Sequence, residues 1–198
     1  MKTSFKILLP TMLFLFIMIF AIYFNVKAEI NKYRTGEQNI TKNTINNFSN
    51  IVVNTKSTVY LYISDNNTVY GDVNLNNYKV LNDTLFISDT TLIKIDFKNI
   101  KSITSNYGSN ITIDSINTNS LKIINTNNSE ININKGVIKR INIMCDSSQI
   151  YLKRCKLNDI KGELMHNSTV SFNSKINSIN IKSDTSSNFS ANRWRLKY

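Results

Sequence analysis

Helix formers, histidine, cysteine and acidic residues are all scarce in this 198-residue chain, and each shortage closes a route. Three alanines, with few leucines and glutamates, remove the best helix formers. His166 is the sole histidine, so a Ser-His-Asp triad or a His-Cys zinc site would have to be built around that one position. Two cysteines are too few for a metal site of their own. Neither lies near the end of the N-terminal apolar run, which excludes a lipoprotein anchor. There are 13 acidic residues against 24 basic ones, so carboxylate pairs for acid–base chemistry must be looked for one by one.

What remains is Asn, Ser, Thr, Ile, Lys, Val, Tyr and Phe, a composition that favours strands. An Asn-rich chain can also be a disordered or prion-like tract. Here the apolar residues past residue 45 are evenly spread and alternate, which points to an ordered all-β domain. The net charge of +11, three units of it from Lys2, Lys6 and Lys27, suits an anionic partner: polysaccharide, lipid headgroup or nucleic acid. Lysines that guard exposed strand edges would give the same excess.

The chain opens with two lysines and then runs from Ile7 to Val26 without a charge. That length is enough to cross a bilayer as a helix, and Pro10 falls in its first turns, where it costs least. The alternative is a cleaved signal peptide, with Val26 and Ala28 at the −3 and −1 positions. The expected organisation is an anchor or signal at 1–28, a polar linker at 29–47, a domain at 48–190 and a basic aromatic cap at 191–198. In either case residues 29–198 are exported, anchored in the inner membrane of a bacterial cell envelope or secreted after cleavage.

A repeat organises the domain. "GSNITI", "NSEINI", "SSQIYL", "NSTVSF" and "SSNFSA" align on Ser109, Ser129, Ser148, Ser168 and Ser187, at intervals of 20, 19, 20 and 19. A second apolar run stands ahead of each. A fixed period near 20 with two short strands per period is the mark of a single-stranded β-solenoid. Ile111 and Ile113, Ile131 and Ile133, Ile150 and Leu152, and Val170 and Phe172 should then stack inward. Thr112, Asn132, Tyr151 and Ser171 should point out. The serine sits where the coil bends, small enough for the corner and able to bond nearby backbone. It is a turn residue, not a nucleophile.

Upstream, "FSNIVVNTKSTVYLYISDNNTVYGDVNLNNYKVLNDTLFI" has an F-x-x-I-x-V opening, a V-x-L strand, an Asp/Asn turn and a D-T-L-x-I closing. With "FKNIKSITSNYGSNITI" and the coils that follow, it resembles the putative auto-transporter adhesin head (GIN) domain family over residues 48–190. Asn stands where that family commonly has Gly at turns, and serves the same backbone role. The resemblance implies a β-solenoid on an envelope-exposed protein, with no catalytic residues to carry over.

Solenoid enzymes gather acids on adjacent coils. Relative to the aligned serines, Asp114 sits at +5, Glu130 at +1, Asp146 at −2, Glu163 at −5 and Asp184 at −3. Neighbouring coils share no acidic offset, so neither a paired-carboxylate site nor a calcium ladder is expected. The expectation is no enzyme, no cofactor and no metal. Cys145 and Cys155, half a coil apart, could face each other as a disulfide; they could equally diverge or be buried as small hydrophobes. Lys135, Lys139 and Arg140 are read into one inter-coil turn and Lys153, Arg154 and Lys156 into the next, forming a basic edge for anionic polysaccharide or simply a solvated one. Arg193, Trp194 and Arg195 would cap the last coil or form a partner patch. Export argues against nucleic acid. The sequence therefore predicts an adhesion or interaction protein contacting glycan or another envelope protein. A structural spacer or assembly scaffold is the alternative, and a polysaccharide-processing enzyme the weakest reading.

Overall fold

The computed structural model describes residues 41–71, 78–88, 92–173 and 176–191. The expected anchor at 7–26 and the cap residues Arg193, Trp194 and Arg195 lie outside them. Among the described residues no helix is long and apolar enough to cross a membrane.

The described residues form one compact unit built of strands. It opens with β1 (Thr41–Thr44), β2 (Asn50–Val53), β3 (Thr58–Ile63) and β4 (Thr68–Gly71). Then come β5 (Tyr78–Leu81), β6 (Thr84–Ile87), β7 (Leu92–Phe97) and β8 (Ser102–Ser105). The regular coils follow: β9 (Asn110–Ile113) with β10 (Ile116–Thr126), β11 (Glu130–Ile133) with β12 (Gly136–Asp146), β13 (Gln149–Leu152) with β14 (Cys155–Met165), and β15 (Thr169–Phe172) with β16 (Ser178–Ser183). The last strand is β17 (Asn188–Ala191).

Parallel pairing from coil to coil makes a β-solenoid of about four regular turns. Its two sheets run β1-β4-β7-β3-β9-β11-β13-β15-β17 and β16-β14-β12-β10-β8-β2-β6-β5. The four-residue strands show the alternation that the sequence predicts. Ile111, Ile131, Ile150 and Val170 form one buried column; Ile113, Ile133, Leu152 and Phe172 form another. Thr112, Asn132, Tyr151 and Ser171 lie between them on the outer face. Inward residues of both sheets join a single apolar core. A strand pair cannot cover its own apolar face, so each coil depends on its neighbours.

The structure differs from the sequence reading in three respects. First, in the first three regular coils the second strand is long, and its pairing lapses at one residue, Asn119, Lys139 or Asn158. Alternation breaks there, and Thr118 Oγ1 donates to the Ser120 carbonyl 3.0 Å away. These three coils therefore have a third, narrow side of three residues, where two strands per coil were expected. Second, Thr41–Thr44, inside the stretch read as linker, is a strand antiparallel to β4. Third, the start of the domain does not wind in order. β2 lies between β6 and β8, and β3 between β7 and β9, so the earliest strand pair sits inside the stack.

Corners use left-handed backbone, at Asn82–Asp83, Tyr107–Gly108, Asn127–Asn128, Ser147 and His166–Asn167. Asn accepts such angles at low cost, which is why it serves here in place of glycine.

Candidate functional site

The repeating serines line the inside of one corner. Ser109, Ser129, Ser148 and Ser168 are all buried, and their hydroxyls tie neighbouring coils together. Ser109 Oγ donates to Ser129 Oγ at 3.4 Å, and the Ser129 N–H donates to Ser148 Oγ at 3.2 Å. Ser168 Oγ donates to the Cys145 carbonyl at 2.8 Å, and the Ser168 N–H donates to Ser187 Oγ at 3.2 Å. Buried hydroxyls bonded to backbone are structural, as the sequence predicts. The column extends to Ser57, buried beside β3 at the register of Ser109. The serine spacing concealed it, because strands β4–β8 intervene out of spatial order between Ser57 and Ser109.

Beside the serines, Ser105, Asn125 and Cys145 form a second buried column. The Asn125 amide donates to the carbonyls of Ser129 and Gln149, at 3.0 and 2.8 Å. Cys145 and Cys155 are both buried thiols, with no disulfide between them. Burial pushes each up to about 11, so neither is a thiolate near neutral pH.

His166 occupies the outer corner with left-handed backbone. Its Nδ1 lies 2.8 Å from Asp146 Oδ1, and its N–H donates to Asp184 Oδ2 at 2.7 Å. The Asp146 contact raises the imidazole above its ordinary range. Hydrogen bonds from the Ser187 side chain, the His166 N–H and Ser186 hold the Asp184 carboxyl well below the usual carboxylate range. Asp146 and Asp184 occupy one register position, two coils apart on either side of Met165. Alignment on the serines hid this because the corner after Asp146 is one residue shorter. His166 and Asp184 are exposed and Asp146 is half-buried, and among the described residues no three His, Cys, Asp or Glu side chains are placed to hold a metal ion.

All six predicted cations are exposed along the narrow third side and its two corners. They are not confined to turns: Lys139, Arg140 and Lys156 lie within strands β12 and β14. Lys135 and Arg154 share one corner position, and Lys153 precedes Arg154 there. Lys156 projects from the narrow side beside Val137, while Lys139 and Arg140 take the far corner, Arg140 paired in register with Asp159. Of the six, only Lys135 has a carboxylate in ion-pair range among the described residues, Asp114 at 3.4 Å. Around that far corner lies a shallow cavity of about 490 Å³, its lining including Arg140, Lys161 and Asp159.

Another feature has no counterpart in the sequence reading. Where the nine-stranded sheet passes from β9 back through β3, β7, β4 and β1, its outward row changes from Thr112 to Tyr60, Lys94, Tyr70 and Lys42. Those four residues are scattered over fifty positions, and only the pairing brings them together.

No protein-family profile matches this chain, and no curated protein sequence does. Solved structures do. A protein from Bacteroides fragilis described as a "putative adhesin" is 12% identical, with a TM-score of 0.52 over 77% of this chain and 95% of its own. A "putative adhesin" from Parabacteroides distasonis is 14% identical, with a TM-score of 0.44 over 77% of this chain and 92% of its own. A "Putative lipid binding protein" from the same species is 13% identical, with a TM-score of 0.39 over 79% and 98%. The first of these shows that the fold is shared.

Proposed function

We propose that the chain is a non-catalytic contact protein of the bacterial cell envelope, a head domain of the GIN type that holds anionic glycan along its narrow basic side. The observation that carries this reading is the set of six exposed cations on that side, five of them without an ion-pair partner among the described residues. Unpaired surface cations interact weakly one at a time, but a polymer engages several at once, so binding adds up and falls with salt. Residues 7–26 would hold the chain in the inner membrane, or be removed with the signal; sequencing the N-terminus of the mature protein separates the two.

The test is retention of the full chain on native envelopes and isolated anionic polysaccharides through a salt series. Retention should fall steeply with salt and be clearly weakened when Lys153, Arg154 and Lys156 are changed to Glu. Undiminished retention of that variant would refute the role of the basic side. A spacer or stacking role is the second reading. It draws support from the C-terminal end, where β16 and β17 each pair on one edge only among the described residues. Self-association of the charge-reversed variant, without glycan retention, would favour it.

A further inference from the structure

We propose that the outer face of β3, β4 and β7 is a second ligand site, which takes a sugar ring bearing an anionic group. It lies apart from the narrow basic side and uses different residues, though both readings expect an anionic polymer.

The row Lys42, Tyr70, Lys94, Tyr60 crosses four adjacent strands, with Tyr62 and Asp96 in register beside it. Strands lie ~4.8 Å apart, so the row spans ~14 Å, room for more than one sugar ring. Lys94 Nζ lies 4.9 Å from the Tyr62 ring centroid and 4.6 Å from that of Tyr70; Lys42 Nζ lies 5.9 Å from the Tyr70 centroid. The Tyr70 hydroxyl donates to Asp96 Oδ2 at 2.8 Å, which fixes that ring. Among the described residues neither Lys42 nor Lys94 makes an ion pair.

This arrangement has three parts with separate tasks. The tyrosines offer flat apolar surface that remains in contact with water, Tyr62 being 38% exposed. A pyranose presents a face of C–H groups that can lie against such rings, while phenol hydroxyls and Asp96 bond to sugar hydroxyls. Lys94, steered by its two rings, has N–H donors free for a carboxylate or sulfate on the same sugar. In the regular coils the outward row holds Thr112, Asn132 and Ser171 in most positions, and no such combination occurs there.

The experiment measures binding of the full 198-residue chain, in detergent micelles, to polygalacturonate, dextran sulfate, neutral galactan and polyglutamate. Each is measured on the unmodified chain, on Tyr62→Ala and Lys94→Gln, and on all three in a background with Lys153, Arg154 and Lys156 changed to Glu. Both substitutions are at exposed positions, and circular dichroism confirms that each variant is folded. The proposal expects an acidic glycan to bind in the charge-reversed background, with Lys94→Gln weakening it about tenfold, the effect of one charge-assisted contact, and Tyr62→Ala weakening it by a similar factor through loss of the stacking face. Preference for polygalacturonate over dextran sulfate assigns the anion as a carboxylate, and the reverse assigns a sulfate. Equal binding of neutral galactan, equal binding of polyglutamate, or no effect of either substitution overturns the proposal. Binding abolished by charge reversal alone overturns it too, and leaves the basic side standing. Binding at this site that survives while the charge-reversed chain is retained on envelopes undiminished refutes the basic side and keeps this site.

Discussion

Gly162 allows the packing argument to be tested at one atom. It occupies the column Ile103, Ile123, Ile143, Gly162, Ile181, where every other residue is isoleucine. Read as a repeat, the column invites a larger side chain at 162, and filling the gap should then stabilise the protein. The backbone geometry says otherwise. A Cβ on residue 162 would lie 2.3 Å from the Ile143 carbonyl oxygen and 3.0 Å from the Ile143 Cβ. Real Cβ atoms keep at least 3.0 Å, so β12 and β14 would have to separate by several tenths of an ångström within a continuous parallel ladder. Forcing a methyl group into a packed site costs about 1–3 kcal/mol. Losing the flexibility of glycine in the unfolded chain returns about 0.5–1 kcal/mol. Gly162→Ala should therefore destabilise by up to about 2.5 kcal/mol, about 1 kcal/mol at the middle of these ranges, with Tm falling about 2–4 °C per kcal/mol for a domain of this size. Gly162→Ile should be worse. A thermal melt followed by circular dichroism in the β-sheet band reads both. A Tm for Gly162→Ala equal to or above that of the unmodified chain would show that the coils can part at this point, and the close-approach argument would fail.

Two further predictions concern titrating groups. Because Asp146 raises the His166 pKa above 6.5, their contact contributes stability that is complete below about pH 6.5 and is lost as pH rises through the raised value. A proton NMR titration of the sole imidazole should give a midpoint above 6.5 that drops in Asp146→Asn; an unchanged midpoint would dissociate the shift from that carboxylate. With both thiols pushed up to about 11 by burial, Cys145 and Cys155 should react with a disulfide reagent at pH 8 only as fast as the chain unfolds. Stoichiometric labelling of the native protein within seconds would contradict the burial of both.

The regular coils were legible because a solenoid repeats its physics with its sequence. Ser109, Ser129, Ser148 and Ser168 mark one corner, and the alternating Ile111–Ile113 type of pair follows at constant distance. The narrow third side was not, since three residues such as Ile116–Thr118 are too few to display a period. Nor was the interleaved start, where β2 pairs with strands 34 and 52 residues further on and no local pattern encodes the choice. The basic residues were recognisable as a group, but their places were not: Lys139 and Arg140 could be assigned to a turn because nothing in the sequence shows where β12 resumes after its corner. The tyrosine–lysine row was invisible for the same reason as Ser57, being assembled by pairing across a non-sequential part of the fold.

The interleaved start also has a mechanical consequence. Tension applied to the chain on its N-terminal side would first strip β1, an edge strand of four residues that among the described residues is held only by β4. It would next reach β2, which is bonded along both edges, to β6 and to β8. An edge strand can be unzipped one hydrogen bond at a time, whereas a strand held on both sides must be sheared out with its two ladders breaking together. A load entering from that side therefore meets a lock one strand in, and the coils beyond it are shielded from the pull.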